Sequence, residues 1–224
     1  MQQNLMGEKA FRTETIKSIS YNQNHILKYI LKLHCNNANT FDCDPCFGLG
    51  NFYIVTNLIE DYTIPAPDMI FDIEPRVDCV EKCDCTNLSN WFKDNECKSI
   101  IFDPPFCFGI HGKAEQNISA QRFTMFKDFD SLKQMYYNSL KEFYRILEPN
   151  GILVVKCQDY TDSKTTFTHC LVYNWAIELG FYAIDLFILL NNSRIDNRLL
   201  EQRVSRKCHS YFWVFKKCNI KNLR

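Results

Sequence analysis

The chain has 224 residues, with 26 Lys and Arg against 26 Asp and Glu, a formal net charge of zero and 12 cysteines. That length suits one domain burying about 70% of its unfolded surface, not two generous ones, and neutrality excludes global steering toward nucleic acid, so positive charge must act locally. The best apolar run, Phe181 to Leu190, is interrupted by Asp185 and is too short for a membrane span; the polar amino terminus lacks the apolar core of a secretory signal, so a cytoplasmic product is expected.

Residues 1–20 are polar without a clear period and read as a loosely held arm ahead of a single domain over 21–218. From Asn24 the pattern changes: Ile26, Leu27, Ile30, Leu31 and His34 share one helical face, with Asn22 or Asn24 as cap. A short strand, Thr40 to Asp44, leads into Pro45-Cys46-Phe47-Gly48-Leu49-Gly50-Asn51-Phe52, whose glycines permit positive φ and close approach of a ligand. Asp61 to Met69 reads as a loop, and Met69 to Pro75 as a strand ending in the acids Asp72 and Glu74. An acid there can accept hydrogen bonds from ribose hydroxyls. Leu88, Trp91 and Phe92 suggest a brief helix before the next strand.

That strand, Ser99 to Phe102, is a buried apolar run stopped by Asp103-Pro104-Pro105-Phe106. Two prolines cannot continue a central ladder and hold the exit extended. One carboxylate, one fixed carbonyl and one ring therefore stand at the carboxyl end of a strand, where open α/β sheets bind ligands. Residues 107–130 are polar and irregular, and a loop of that length reads as a mobile lid. Ser131 is expected to cap a periodic helix carrying Leu132, Met135, Tyr136, Leu140, Phe143, Tyr144 and Leu147, stopped by Pro149-Asn150-Gly151. The strand Ile152 to Gln158, a helix from Thr168 to Leu179, and strands Tyr182 to Leu190 and Ser210 to Phe215 complete the domain. Strand and helix alternating, with a terminal strand pair, predict a doubly wound α/β sheet.

The cysteines are scattered, with no second Cys-x-x-Cys pair at zinc spacing, so buried thiols and no metal are expected. Local positive charge gathers in 191–209, with Arg194, Arg198, Arg203, Arg206 and Lys207, and in the tail 219–224. Either a solvated loop or a phosphate-contacting surface fits that composition.

Two segments carry a resemblance. Asp103-Pro104-Pro105-Phe106 is similar to the Asp-Pro-Pro-aromatic signature of S-adenosylmethionine-dependent amino-methyltransferases, above all those acting on adenine N6. Asp44-Pro45-x-x-Gly48-x-Gly50 resembles the Asp-Pro-x-x-Gly-x-Gly cofactor loop of the same enzymes without a gap; Cys46 stands where they usually carry Phe, and Asn51 where they favour Thr or Ser. The resemblance covers roughly residues 22–215 and implies a Rossmann-like class I methyltransferase fold, mostly parallel with an antiparallel terminal strand. It implies S-adenosylmethionine as cofactor, held by Asp44, Pro45, Phe47, Gly48 and Gly50, by Asp72 at the ribose with Glu74 as the fallback, and by Asp84 and Cys85 at the adenine. It also implies catalysis at Asp103, Pro104, Pro105 and Phe106 on the N6 amine of adenine, in DNA first and RNA second. The basic segment 191–209, or a protein partner, would then recognise the target. A non-catalytic methyltransferase-fold subunit of a nucleic-acid-binding complex is the alternative outside enzymes.

Overall fold

The computed structural model describes residues 15–53, 63–109, 126–161, 164–191, 205 and 207–218. Among the described residues, ten segments of extended chain are β1 (Ile19–Ser20), β2 (Cys43–Asp44), β3 (Met69–Asp72), β4 (Glu81–Lys82), β5 (Cys97–Phe102), β6 (Leu147–Cys157), β7 (Tyr160–Thr161), β8 (Thr165–Thr166), β9 (Phe181–Leu190) and β10 (His209–Lys217). Eight of them form one sheet in the order β1-β9-β10-β6-β5-β2-β3-β4, and β7 pairs with β8 separately. All neighbours in the large sheet are parallel except β10, which runs antiparallel to both β6 and β9. This is the Rossmann-like class I methyltransferase arrangement that the resemblance implied.

Period-two alternation splits the core into two layers. Ile101, Val154, Phe187, Phe212 and Val214 face helix α1 (Gln23–His34), which buries Ile26, Leu27, Ile30 and Leu31 against them. Ile100, Phe102, Leu153, Val155 and Phe215 face the opposite way, toward α2 (Phe129–Ile146) and α3 (Thr168–Glu178). Asn22, not Asn24, caps α1, its side chain accepting from the Asn24 and His25 amides at 2.8 and 3.4 Å.

Several boundaries depart from expectation. Residues 19 and 20 of the expected arm belong to the sheet, pairing in parallel with Ile188 and Leu189 of β9. Asp128, rather than Ser131, caps α2: its carboxylate accepts from the Ser131 amide at 2.8 Å, so the last residues of the expected lid are helical. Residues 110–125 of that lid lie outside the described residues. Leu88 to Phe92 is a single turn, closed by the Trp91 and Phe92 amides on the Leu88 carbonyl, too few residues for a helix. β6 starts at Leu147 because Pro149-Asn150-Gly151 forms a bulge within the pairing to β5, with Asn150 at φ 71°.

Candidate active site

The sheet order reverses between β2 and β5, and the crevice at their carboxyl ends is where a ligand can enter an open α/β sheet. Cys43 of β2 pairs with Ile100 of β5, so the loops that follow, starting at Pro45 and Asp103, leave side by side. Both line one cavity of about 960 Å³.

The first loop is a chain of tight turns. Gly48 and Gly50 sit at φ 60° and 71°, the left-handed region that other residues occupy only with strain. The Gly50 amide donates to the Phe47 carbonyl and the Tyr53 amide to the Gly50 carbonyl, both at 2.9 Å. Phe47 stacks on Tyr53 with ring centres 5.4 Å apart and planes 13° apart. A Cβ on Gly50 would lie 2.8 Å from Phe47 Cζ, whereas one on Gly48 meets nothing within 4 Å, so the backbone at Gly48 is open to the cavity.

Asp44 anchors this loop from below. It is 1% exposed, accepts from the Cys46 amide at 3.0 Å, and accepts from the Tyr53 hydroxyl at 2.8 Å. Burial raises its carboxyl to about 7; the charges of Asp103 and Asp72 push the same way, against the two hydrogen bonds. Burial and the Asp44 charge also hold the Tyr53 phenol well above its usual range, so it remains a donor. Tyr53 occupies the place of a missing third glycine in a dinucleotide fingerprint, and nothing in the spacing marks it as the partner of Asp44.

Asp72 lines the cavity, and each of its oxygens accepts one backbone bond, from the Gly48 amide and the Glu74 amide at 2.9 Å each, which leaves a second lone pair on each. It ties the end of β3 to the glycine turn, and Glu74 faces the same cavity beside it. Asp84 accepts from the Thr86 amide at 2.8 Å in a turn on the cavity wall. Cys85 is a buried thiol 3.2 Å from Ser139 Oγ of α2, and neighbouring Cys46 lies against it. All 12 cysteines are free thiols.

On the other wall, Asp103 follows β5 and is approached by Lys156 of β6, whose Nζ lies 2.9 Å from Asp103 Oδ2. Pro104, Pro105, Phe106 and Phe126 complete this wall. Five acids (Asp72, Glu74, Asp84, Asp103 and buried Asp44) thus gather at the strand ends against Arg76 and Lys156. That charge balance and the open glycine turn fit a ligand bearing positive charge, such as a sulfonium with an α-ammonium group.

The basic insertion leaves and returns at this same end of the sheet. The Asn191 amide donates to the Cys208 carbonyl at 2.8 Å, and Tyr211 of β10 pairs with Cys157 of β6, where the cavity lies. Arg194, Arg198, Arg203 and Arg206 fall outside the described residues. Lys207 is described: its carbonyl accepts from Gln158 Nε2 at 3.4 Å and its ammonium lies over the Phe167 ring at 5.9 Å.

No protein-family model and no curated protein matches the chain. Among solved structures it is similar to a Thermus thermophilus protein assigned as a DNA modification methylase and complexed with S-adenosyl-L-methionine, at 14% identity over 61% of this chain and 54% of that one, TM-score 0.43. It is also similar to the cytosine-N4-specific PvuII DNA methyltransferase, at 17% identity over 60% and 47% of the chains, TM-score 0.46. A third is TrmN from Thermus thermophilus, at 15% identity over 87% and 48%, TM-score 0.46. The chain spans about half the length of these structures.

Proposed function

We propose that the chain is an S-adenosylmethionine-dependent methyltransferase that modifies the exocyclic N6 amine of adenine in DNA. The observation that carries this reading is the shared cavity: the Asp44–Gly50 loop and the Asp103–Phe106 loop leave neighbouring parallel strands and line one space of about 960 Å³. Had they stood at opposite ends of the sheet, no methyl group could pass between ligands held by each.

The cofactor, when bound, supplies an electrophilic methyl carbon together with its own leaving group. The residues that would hold it are the glycine turn, whose backbone at Gly48 is open, with Asp72 or Glu74 at the ribose and Asp84 at the adenine. On the substrate side, an adenine N6 is a weak nucleophile because its lone pair is delocalised into the ring. Asp103 and the Pro104 carbonyl accept hydrogen bonds from its two amino hydrogens and favour a tetrahedral nitrogen whose lone pair attacks the methyl carbon as the sulfur–carbon bond breaks; the surplus N–H proton then leaves to solvent. The proline ring fixes the direction of that carbonyl. Phe106 stacks on a base that has left the helix, a contact worth about 1–3 kcal/mol. Positioning, more than acid–base power, then lowers the barrier. Phosphate contacts would come from the basic segment 191–209, whose stems stand beside the cavity.

Tritium from labelled S-adenosylmethionine should enter duplex DNA with the wild type and vanish with Asp103→Ala, while calorimetry shows that the variant still binds the cofactor. Retained transfer by Asp103→Ala would refute the assigned role. Nucleoside mass spectrometry of the product separates N6-methyldeoxyadenosine from a methylated ribonucleoside or cytosine, and competition with total RNA tests the polymer. Absence of cofactor binding by the wild type would leave the non-catalytic subunit as the reading.

A further inference from the structure

The signature loop explains Asp103 but not its neighbour. Lys156 lies one residue before the end of β6, and pairing on both sides fixes its position: Phe102 of β5 pairs with Val155, and Phe212 of β10 pairs with Lys156 itself. Its ammonium stands 5.0 Å from the Phe52 ring centre and 5.8 Å from that of Phe212. Among the described residues its one hydrogen-bond partner is Asp103, at 2.9 Å, and both side chains are partly open to the cavity, 20% and 33% exposed.

An ammonium has three donors and no acceptor. Any amine that reaches Asp103 must therefore share the carboxylate with a fixed positive charge that still has hydrogens to give. A protein lysine, itself an ammonium, meets like charge there. A group that presents an amine beside a lone pair, two bonds apart, meets an acceptor and a donor spaced on the same scale. Building on the adenine reading above, we propose that Lys156 is a specificity-determining residue that donates a hydrogen bond to the ring nitrogen adjoining the target amine, N1 of adenine, while Asp103 accepts from the amine. The pair reads the donor–acceptor edge of the base, and the aromatic walls at Phe106 and Phe126 favour a planar ring over a flexible amide carrying a similar edge.

The test uses duplex oligonucleotides with adenine or 1-deazaadenine, which keeps the amine and lacks the N1 lone pair, in a sequence context that the wild type methylates. Hydrogen bonds to charged groups predict that the wild type loses about 10- to 100-fold in kcat/KM on 1-deazaadenine. Lys156→Met keeps the stem and removes the donor, so its adenine to 1-deazaadenine ratio should fall at least about tenfold below that of the wild type. Lys156→Arg keeps a donor and should keep most of the discrimination. Equal use of the two bases by the wild type, or wild-type discrimination in Lys156→Met, would overturn the inference while leaving the methyltransferase reading intact. No methyl transfer to any adenine duplex by the wild type would overturn that reading instead. Unchanged cofactor affinity in Lys156→Met, read by calorimetry, shows that the variant is folded; if it is not, the wild-type ratio and the Arg variant still decide.

Discussion

Asp44→Asn should make the protein more stable at alkaline pH, although it removes a charge from the candidate cofactor loop. Asp44 is 1% exposed, and burial lifts its carboxyl from 3.8 to about 7. A folded-state value above the unfolded one means that the folded protein holds the proton more tightly. The associated stability is fully present below the unfolded value, near 3.8, and is lost as pH rises through about 7. Each factor of ten in proton affinity is worth about 1.4 kcal/mol, so at high pH ionised Asp44 costs the fold up to about 4 kcal/mol. Asparagine is neutral at every pH and can keep both contacts, accepting from the Cys46 amide and donating to the Tyr53 oxygen. Between about pH 5 and about pH 8.5, Asp44→Asn should therefore gain on the wild type by about 2–3 kcal/mol. Urea denaturation of both proteins across this range measures the difference. A stability gap that does not change with pH would refute the reasoning, because it would mean that Asp44 ionises in the folded protein as freely as in the unfolded chain.

Gly50→Ala should cost roughly 2–3 kcal/mol, from a non-glycine residue in the left-handed region and from displacement of the Phe47 ring off Tyr53. Calorimetry should show a weakened affinity for S-adenosylmethionine alongside the drop in denaturation midpoint; an unchanged affinity would separate the turn from the ligand. Phe143→Ala in α2 removes a fully buried ring whose centre lies 4.8 Å from that of Phe102 at the end of β5. A loss of about 3–5 kcal/mol in urea denaturation is expected, and a loss below about 1 kcal/mol would show that α2 does not clamp the strand that carries Asp103.

The parts of the candidate site legible in the sequence are turns, whose shape is set by local backbone preference. Gly48, Gly50, Pro104 and Pro105 restrict or free φ locally, so the turns they make are written in consecutive residues. Asp44 and Asp103 were legible because each stands at the end of a short strand next to such a turn, Asp103 after the apolar run Ile100–Phe102. Lys156 was not: it closes the run Ile152–Val155 as any polar strand end would, and its partner lies 53 residues away. Only the register of β5 on β6 brings the two together. Tyr53 escaped for a related reason, since its hydroxyl acts on Asp44 nine residues back through the fold of the loop itself. The misjudged boundaries have local causes. Pro149-Asn150-Gly151 does stop a helix, but pairing with β5 begins before it and absorbs it as a bulge. Ser131 lies inside the first turn that Asp128 caps, and both are residue types that cap helices.

The strand pairing of β1 has a consequence for how copies of the protein meet. β9 would be the last strand on its side, with a row of unpaired amides and carbonyls available to any extended peptide. Among the described residues, β1 pairs with Ile188 and Leu189, and the Ile188 amide also donates to the Ser18 carbonyl at 2.7 Å. Partway along the remaining row stands Asp185, held by His34 at 2.9 Å, so a second molecule adding itself there would have to strip water from a carboxylate. The residue that interrupts the longest apolar run of the sequence thus also sets a charged, partly solvated group on this outer strand.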